Sequence, residues 1–416
     1  MKELRVKISK INAVYIIAIV LLAILDVNCF YLIKIPSSLS RIWGVYQKGL
    51  LVIISFLLFL WAGGWKNGTS FMKKYCICVF VSIGVAIVIS TLRYYNNILH
   101  NVILEANHYL LIVLAFPLLR FIKRSNGYDR VFQVLNYIAF ITYIIFIAQS
   151  FAYNTAGRVF LNISVYERSD MIRITLKSVG CLMVVYNFCQ VWCYKINKNS
   201  WFHIVQLVLG IYCVLFIQQT RAYYLVIGGS IFAVLLFYKT EAAKKLRNIL
   251  IVISVGIAIL GTGVADIFMA SFSSSSAEYA GTLARTGAFG YFWSEFLANP
   301  LIGHGIINSG SQMLMNIRTG PYGIYHYADT GIMGLFAQLG LLAVGVYVWP
   351  VIHWIKLLRK NMKDKRTDPF LIGLMSYILF STPTLLCINQ ALIFIWPFCV
   401  AVFAYYEELV RSRYYE

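Results

Sequence analysis

The sequence predicts an all-α fold: a polytopic membrane bundle of about twelve transmembrane helices with one large extracytoplasmic loop. Three observations lead there. Hydrophobic residues make up 60% of the chain and charged residues only 12%, with a mean hydropathy of +0.74, which lies outside the range of soluble globular domains. Apolar runs of about 18 residues or more recur along the chain, each long enough to cross the hydrocarbon core. These runs are apolar all round and do not alternate with period two, which excludes a transmembrane barrel. Residues 1–416 therefore read as a single membrane domain.

The first run, Ile11 to Tyr31, follows a basic start of Lys2, Arg5, Lys7 and Lys10. It is too long for a cleavable signal core and lacks a small-x-small site, so a retained signal anchor is expected. Spans are expected near residues 11–33, 45–63, 75–92, 99–119, 131–151, 174–194, 202–219, 222–238, 248–268, 330–354, 370–387 and 390–406. The fourth is unusual because His100, Glu105 and His108 make its first half polar. Ionisable groups at membrane depth are paired or functional, and this spacing fits either a site or a structural polar cluster. Only Gln218 to Arg221 separate the seventh and eighth.

An even number of spans places both termini on one side, and the basic residues say which. Lys66, Lys73 and Lys74, then Arg120, Lys123, Arg124 and Arg130, then Lys195 and Lys198, then Lys239, Lys244, Lys245 and Arg247, and finally the cluster from Lys356 to Arg366 fall in alternate loops. With the tails these loops hold about 25 basic residues against about 11 opposite, so the termini are expected in the cytoplasm. The net charge of +20 is thereby explained by orientation; with no soluble domain to carry a basic patch, a nucleic-acid partner is excluded. The nine cysteines show no paired spacing, and Cys76/Cys78 and Cys189/Cys193 lie in or beside apolar helices. They read as small hydrophobes, neither a disulfide framework nor a metal site.

Residues 270–329 form the one long segment that is neither an apolar run nor a short turn, and they fall on the extracytoplasmic side. Ser273 to Ser276 read as a flexible lead-in. Thr282 is placed to cap a helix running to about Ala298, where Asn299-Pro300 stops it. Arg285, Phe289, Phe292 and Phe296 share one face of that helix, with Trp293 beside them. The stripe either lies on the membrane surface or packs on the bundle, and both arrangements put Arg285 at the lipid–water boundary.

Outward-facing arginines are informative because orientation depletes them there. Arg221 sits in a loop of a few residues with no carboxylate near it in sequence, whereas Glu278 and Glu295 offer Arg285 a local ion pair. A guanidinium presents a planar fork that matches phosphate oxygens; the alternative role is to anchor a helix end at the headgroups. His326 and Asp329 precede the tenth span. The carboxylate can orient the imidazole as a general base for a sugar hydroxyl, or Asp329 can simply cap the helix. His304, between two glycines, is a rival base or substrate-binding group. No Walker-type loop, dinucleotide fingerprint, His-Glu-x-x-His or Gly-x-Ser-x-Gly occurs, and there is no aspartate-rich metal cradle. No metal or cofactor is expected, so arginine would have to bind any pyrophosphate.

Thr220-Arg221 opening a helix, Arg285 followed by aromatics and then Asn299-Pro300-Leu301-Ile302-Gly303-His304-Gly305, and His326-Tyr327-Ala328-Asp329-Thr330-Gly331 together resemble the O-antigen ligase and polymerase superfamily of bacterial envelope glycan enzymes. The resemblance runs from about Gln218 to Leu342, together with the twelve-span plan. It implies action on undecaprenyl-diphosphate-linked glycans at the outer face of the cytoplasmic membrane, without metal or nucleotide. Arg221 and Arg285 would bind the lipid pyrophosphate, and His326 would stand on the acceptor side as the base. The residue after this histidine, often Asn or Ser in the family, is Tyr327 here. The expected function is a polymerase that joins lipid-linked repeat units into capsule, exopolysaccharide or O-antigen, with a flippase and a chain-length regulator as candidate partners. An O-antigen ligase shares the donor chemistry and differs in acceptor. A lipid-linked oligosaccharide flippase is the competing class, and it would show internal repeats and broken helices near the midplane.

Overall fold

A computed structural model describes residues 10–34, 37–163, 165, 167–168, 171–194, 200–238, 240–261, 279–308, 312–362 and 367–415. Lys2, Arg5 and Lys7 of the basic start, Ser273 to Ser276 and Glu278 lie outside the described residues. Among the described residues the regular structure is helical, apart from a short antiparallel ladder that pairs Glu167 with Ile172 and Arg168 with Met171.

The helices in order are α1 (Lys10–Asp26), α2 (Ser37–Trp61), α3 (Ser70–Arg93), α4 (Leu99–Ala106), α5 (Ala115–Arg124), α6 (Asp129–Ala156), α7 (Ser178–Trp192), α8 (Ser200–Tyr212), α9 (Arg221–Phe237), α10 (Ala242–Gly261), α11 (Tyr279–Ala298), α12 (Met315–Thr319), α13 (Ile332–Leu339), α14 (Trp349–Met362), α15 (Pro369–Ser381) and α16 (Trp396–Tyr415). A 3-10 stretch, Asn107–Leu114, continues α4 into α5, so Leu99–Arg124 is one uninterrupted helical segment, the central rod. Among the described residues, five helical segments are long and apolar enough to cross a membrane: Ser70–Arg93, Leu99–Arg124, Asp129–Ala156, Ser200–Gln218 and Ile393–Ser412. Their lengths of 19–28 residues correspond to about 28–42 Å at 1.5 Å per residue, which matches the hydrocarbon core.

Depth in the bundle differs sharply among the five. The apolar windows of Leu99–Arg124 and Ile393–Ser412 are 83% buried, against 33% for Ser200–Gln218. The first two therefore form the centre, and the others show apolar faces, such as Val81, Val88, Ile144 and Val208, to the surroundings. Polar side chains link helices where they are buried. Asn136 and Asn187 exchange amide hydrogen bonds of 3.1 and 2.7 Å between α6 and α7, and Asn187 Oδ1 also meets His203 Nδ1 of α8 at 2.7 Å. Tyr75 donates to the carbonyl of Val346 and accepts from Trp396 Nε1, which ties α3 to the centre.

Several expected spans are shorter than the sequence suggested. The first ends at Asp26, because Asp26 forms a buried ion pair with Lys48 of α2 at 3.2 Å and Asn28 to Tyr31 all take positive φ, which no right-handed helix accepts. The tenth, read as one helix over 330–354, is broken. Gly340 adopts φ 58 and ends α13, and a π-wound piece, Val344–Val348, leads into α14. The eleventh stops at Ser381 and the twelfth begins with a 3-10 turn at Ile393, so 382–392 is non-helical backbone where continuous helix was expected up to 387. Thr282 lies inside α11, which already starts at Tyr279, and so it does not cap that helix.

The rod 99–124 orients the molecule. Near its second end Arg120 bonds the carbonyl of Ala62, and Lys123 pairs with Glu408 at 2.7 Å. Near its first end Glu105 pairs with Arg318. Hydrogen bonds from Arg93 and Asn97 bring the 299–308 segment to that first end as well, and the bond from Ile332 N to Thr382 O adds the non-helical 382–392 loop.

Candidate functional site

The segment 299–308 is held on both sides. Its backbone N–H groups at His304 and Gly305 donate to the carbonyls of Ala337 and Gln338 at 3.0 and 2.9 Å, and Leu341 N donates to Pro300 O at 2.8 Å. The last carbonyls of α13, which have no partner within a helix that short, are thus satisfied from outside. On the other side Arg93 Nη1 donates to Gly303 O at 3.0 Å, Asn97 Nδ2 to Ile306 O at 2.9 Å, and Asn97 Oδ1 accepts from Asn308 N at 2.9 Å. Both glycines are required by this threading. Gly303 and Gly305 take φ +70 and +81, and a Cβ on them would lie 2.5 Å from Ala337 O and 2.7 Å from Ala86 O respectively.

His304 is fully buried by this arrangement. Its Nδ1 lies 2.8 Å from the Gly305 carbonyl and must carry the proton there; Nε2, 2.8 Å from the Tyr327 hydroxyl, therefore accepts from it. Burial holds the imidazole at about 4, well below its ordinary value, so the ring is neutral, and burial likewise pushes the Tyr327 phenol well up. The Gly305 carbonyl and the Tyr327 hydroxyl together hold His304 in one tautomer. His304 reaches the adjoining cavity only through Tyr327.

That cavity, of about 250 Å³, is lined by Glu105, His108, Tyr109, Ile307, Arg318, His326, Tyr327, Gln338 and the stretch Asn389 to Ala391. It is polar and ordered. Arg318 Nη1 lies 2.7 Å from Glu105 Oε1, His108 Nδ1 lies 2.9 Å from the Glu105 carbonyl, and Tyr109 donates to Gln338 Oε1 at 3.1 Å. His326 is exposed at its rim. Asp329 closes a three-residue 3-10 turn, Tyr327–Asp329, whose amide bonds the His326 carbonyl at 3.0 Å. Among the described residues no hydrogen bond joins the Asp329 carboxylate to the His326 ring. Nor does Asp329 cap α13, since Gly331 occupies that position and the turn intervenes.

Arg221 and Arg285 line a second space, an open groove of about 1010 Å³ walled by Leu225, Ile231, Phe232, Leu235, Ile251, Val252 and Phe380, with Pro383 and Thr384 beside them. Arg221 opens α9 two residues after Gln219, whose φ of 50 turns the chain between α8 and α9. Arg173 braces this turn, with Nε donating to Gln218 O and Nη2 to Thr220 Oγ1, both at 3.0 Å. Arg285 is exposed on α11. Glu295 is ten residues along the same helix, about 15 Å away, too far for the local ion pair considered from sequence. The aromatic stripe is divided: Ala288 and Phe292 pack with Ala337 beside Tyr291, Tyr325 and Tyr327, whereas Trp293 stays exposed. The helix thus docks on the bundle by one side, as the second of the two sequence readings had it.

The structure therefore brings Arg221 together with Arg285, and His326 together with Tyr327 and, one residue deeper, His304. The two spaces share no lining residue, but the 382–391 loop walls both: Pro383 and Thr384 face the groove, and Asn389 to Ala391 face the polar cavity. Glu105 and His108 find their account here, as lining of the cavity. Sequence reasoning missed Arg318, Arg173, Asn389 and Gln390. The rule that singled out Arg221 and Arg285 applies equally to Arg318, which shares the expected extracytoplasmic loop with Arg285. Among the described residues no group of three or more His, Cys, Asp or Glu is arranged to hold a metal ion. Compared with known protein families the chain matches none, and no well-characterised protein is significantly similar to it in sequence.

Proposed function

We propose that this chain is a glycosyltransferase-type polymerase that joins polyprenyl-diphosphate-linked oligosaccharide repeats into a surface polysaccharide at the outer face of a bacterial cytoplasmic membrane. One observation carries the reading: two arginines far apart in sequence line the same open, largely apolar groove. An apolar trough suits a polyprenyl tail, and guanidinium groups suit the diphosphate that joins it to the glycan. The resemblance of residues 218–342 to the O-antigen ligase and polymerase superfamily supports the same assignment, and the proposal carries with it the expected twelve spans, cytoplasmic termini and outer 270–329 loop.

The chemistry is a displacement at the anomeric carbon of the donor sugar. An acceptor hydroxyl loses its proton to His326 and attacks that carbon; the carbon–oxygen bond to the diphosphate breaks, and polyprenyl diphosphate departs with the electron pair. Arg221 and Arg285 stabilise the charge that develops on the leaving oxygens. A flippase would deliver the substrate from the inner face, and a chain-length regulator would act on the product. A ligase uses the same donor half and differs in acceptor.

A lipid-linked oligosaccharide flippase is the second reading, favoured by the breaks in helix at Gly340 and between Ser381 and Ile393. Purified protein in nanodiscs, given lipid-linked repeats alone, separates the two. A ladder of lengthening glycans is expected. Arg221→Lys keeps the charge but loses the bidentate fork, and since a hydrogen bond to a charged group contributes about 1.5–3 kcal/mol, synthesis should fall about tenfold or more with membrane insertion intact. No ladder from the wild type, or a normal one from Arg221→Lys, overturns the reading.

A further inference from the structure

We propose that the polar cavity is a binding subsite for a single uncharged pyranose ring, with Glu105, Arg318 and Asn389 as the groups that recognise its hydroxyls. The inference rests on the reading above only in identifying this ring as the acceptor end of a glycan. A volume of about 250 Å³ is enough for several waters, and so for one sugar ring.

The lining has the mixture of donors and acceptors that hydroxyls need. His108 donates through Nδ1 to the Glu105 carbonyl, which makes its Nε2 an acceptor. Gln338 accepts the Tyr109 phenol through its oxygen, which leaves its amide nitrogen as a donor. Asn389 Nδ2 is buried and has no hydrogen-bond partner, and a buried amide donor in that state calls for a bound polar group. Arg318 Nη1 donates to Glu105 Oε1 at 2.7 Å and to the Ile307 carbonyl at 3.3 Å, so both contacts run through one of the three nitrogens of a guanidinium that has five N–H donors in all. Such planar pairs engage vicinal hydroxyls in two directions at once.

Charge selects the class of sugar. Glu105 and Arg318 cancel, and each is mostly shielded, with side chains 12% and 25% exposed. A carboxylate-bearing sugar would have to give up its hydration in a cavity whose pair of charges already cancels, and that uncompensated desolvation disfavours it. The position of Arg318 supports the same division of labour. It belongs to the short helix α12, whereas Glu105 is in the central rod, so the pair fixes the cavity roof to its floor.

The test uses the full-length protein in nanodiscs and saturation-transfer NMR with methyl glycosides of galactose, N-acetylglucosamine and glucuronic acid. At least one neutral glycoside is expected to bind, the glucuronide at least tenfold more weakly, and both Glu105→Gln and Asn389→Leu to weaken the neutral ligand about tenfold. Asn389→Leu leaves the ion pair intact, so it remains informative should Glu105→Gln fail to fold. A lipid-linked repeat should displace the glycoside, and bare polyprenyl diphosphate should not. Equal binding of the glucuronide, no neutral binding, unchanged affinity in Asn389→Leu, or displacement by bare polyprenyl diphosphate each overturns the proposal. A wild-type protein that binds the neutral glycoside in this pattern yet makes no polymer supports the subsite and removes the polymerase reading alone.

Discussion

Gly303→Ala probes the device that assembles the polar cavity. At φ +70 an alanine costs about 1–2 kcal/mol in backbone strain. Its methyl would sit 2.5 Å from Ala337 O and 2.6 Å from both the carbonyl carbon and oxygen of Gln338, all backbone atoms that cannot swing aside. Relief requires segment 299–308 to move away from the end of α13, which breaks the amide bonds of His304 and Gly305 at about 0.5–1.5 kcal/mol each. Together these terms give a destabilisation of about 2–5 kcal/mol. Gly290→Ala is the matched control, since it lies inside α11 with nothing within 4 Å of the added carbon, and alanine in a helix interior gains about 0.5–1 kcal/mol over glycine. Thermal denaturation of the two variants in the same detergent should differ by several degrees, with Gly303→Ala the lower. Limited proteolysis should cut residues 299–308 of Gly303→Ala faster than the wild type. If both variants melt together, the 299–308 segment does not clamp α13, and the assembly of the cavity needs another cause.

His326→Ala should lower polymer synthesis by about 100-fold or more if the ring takes the acceptor proton; a loss under threefold in the initial-rate assay leaves it a structural residue. Tyr327→Phe removes the donor to His304 Nε2 and leaves a buried acceptor unpaired, so thermal stability should fall by about 1–3 kcal/mol and synthesis by less than in His326→Ala; the reverse order would make Tyr327 the reacting group. His304 also predicts an acid limit. Its folded value of about 4 lies below the ordinary 6.5, so the unfolded chain binds the proton first and the stabilisation, complete above about 6.5, is lost as pH falls towards 4. At about 1.36 kcal/mol per pH unit the loss is about 3 kcal/mol, read as a falling melting temperature between those values. His304→Gln, which does not titrate, should flatten that part of the curve.

What the sequence disclosed and what it hid follow from the range of the interactions concerned. The all-helical class is a property of composition and period, both local, and the segments at 70–93, 99–124, 129–156 and 200–218 each contain a stretch long and apolar enough to cross a membrane. Helix breaks were harder to see. Gly340 sits in a run, Gly334 to Val348, whose other residues read as continuous helix, and the break there is imposed by the backbone of Ile302 and Gly303 packed 2.5–2.6 Å from where a Cβ would stand, almost forty residues earlier. The Pro-x-x-Gly-x-Gly element was legible as a turn, yet its use, to satisfy the carbonyls of a half-helix, needs the partner in view. The same holds for charge. Arg285 was weighed against Glu295 because they are near in sequence, and the helix keeps them apart; Glu105 was left without a partner because Arg318 lies 213 residues away. A buried carboxylate is tolerable only when paired, so Glu105 in an apolar run was itself a demand for a distant cation. Of the outer arginines, the one that answers it turns the polar half of the fourth span from a local cluster into the floor of a cavity.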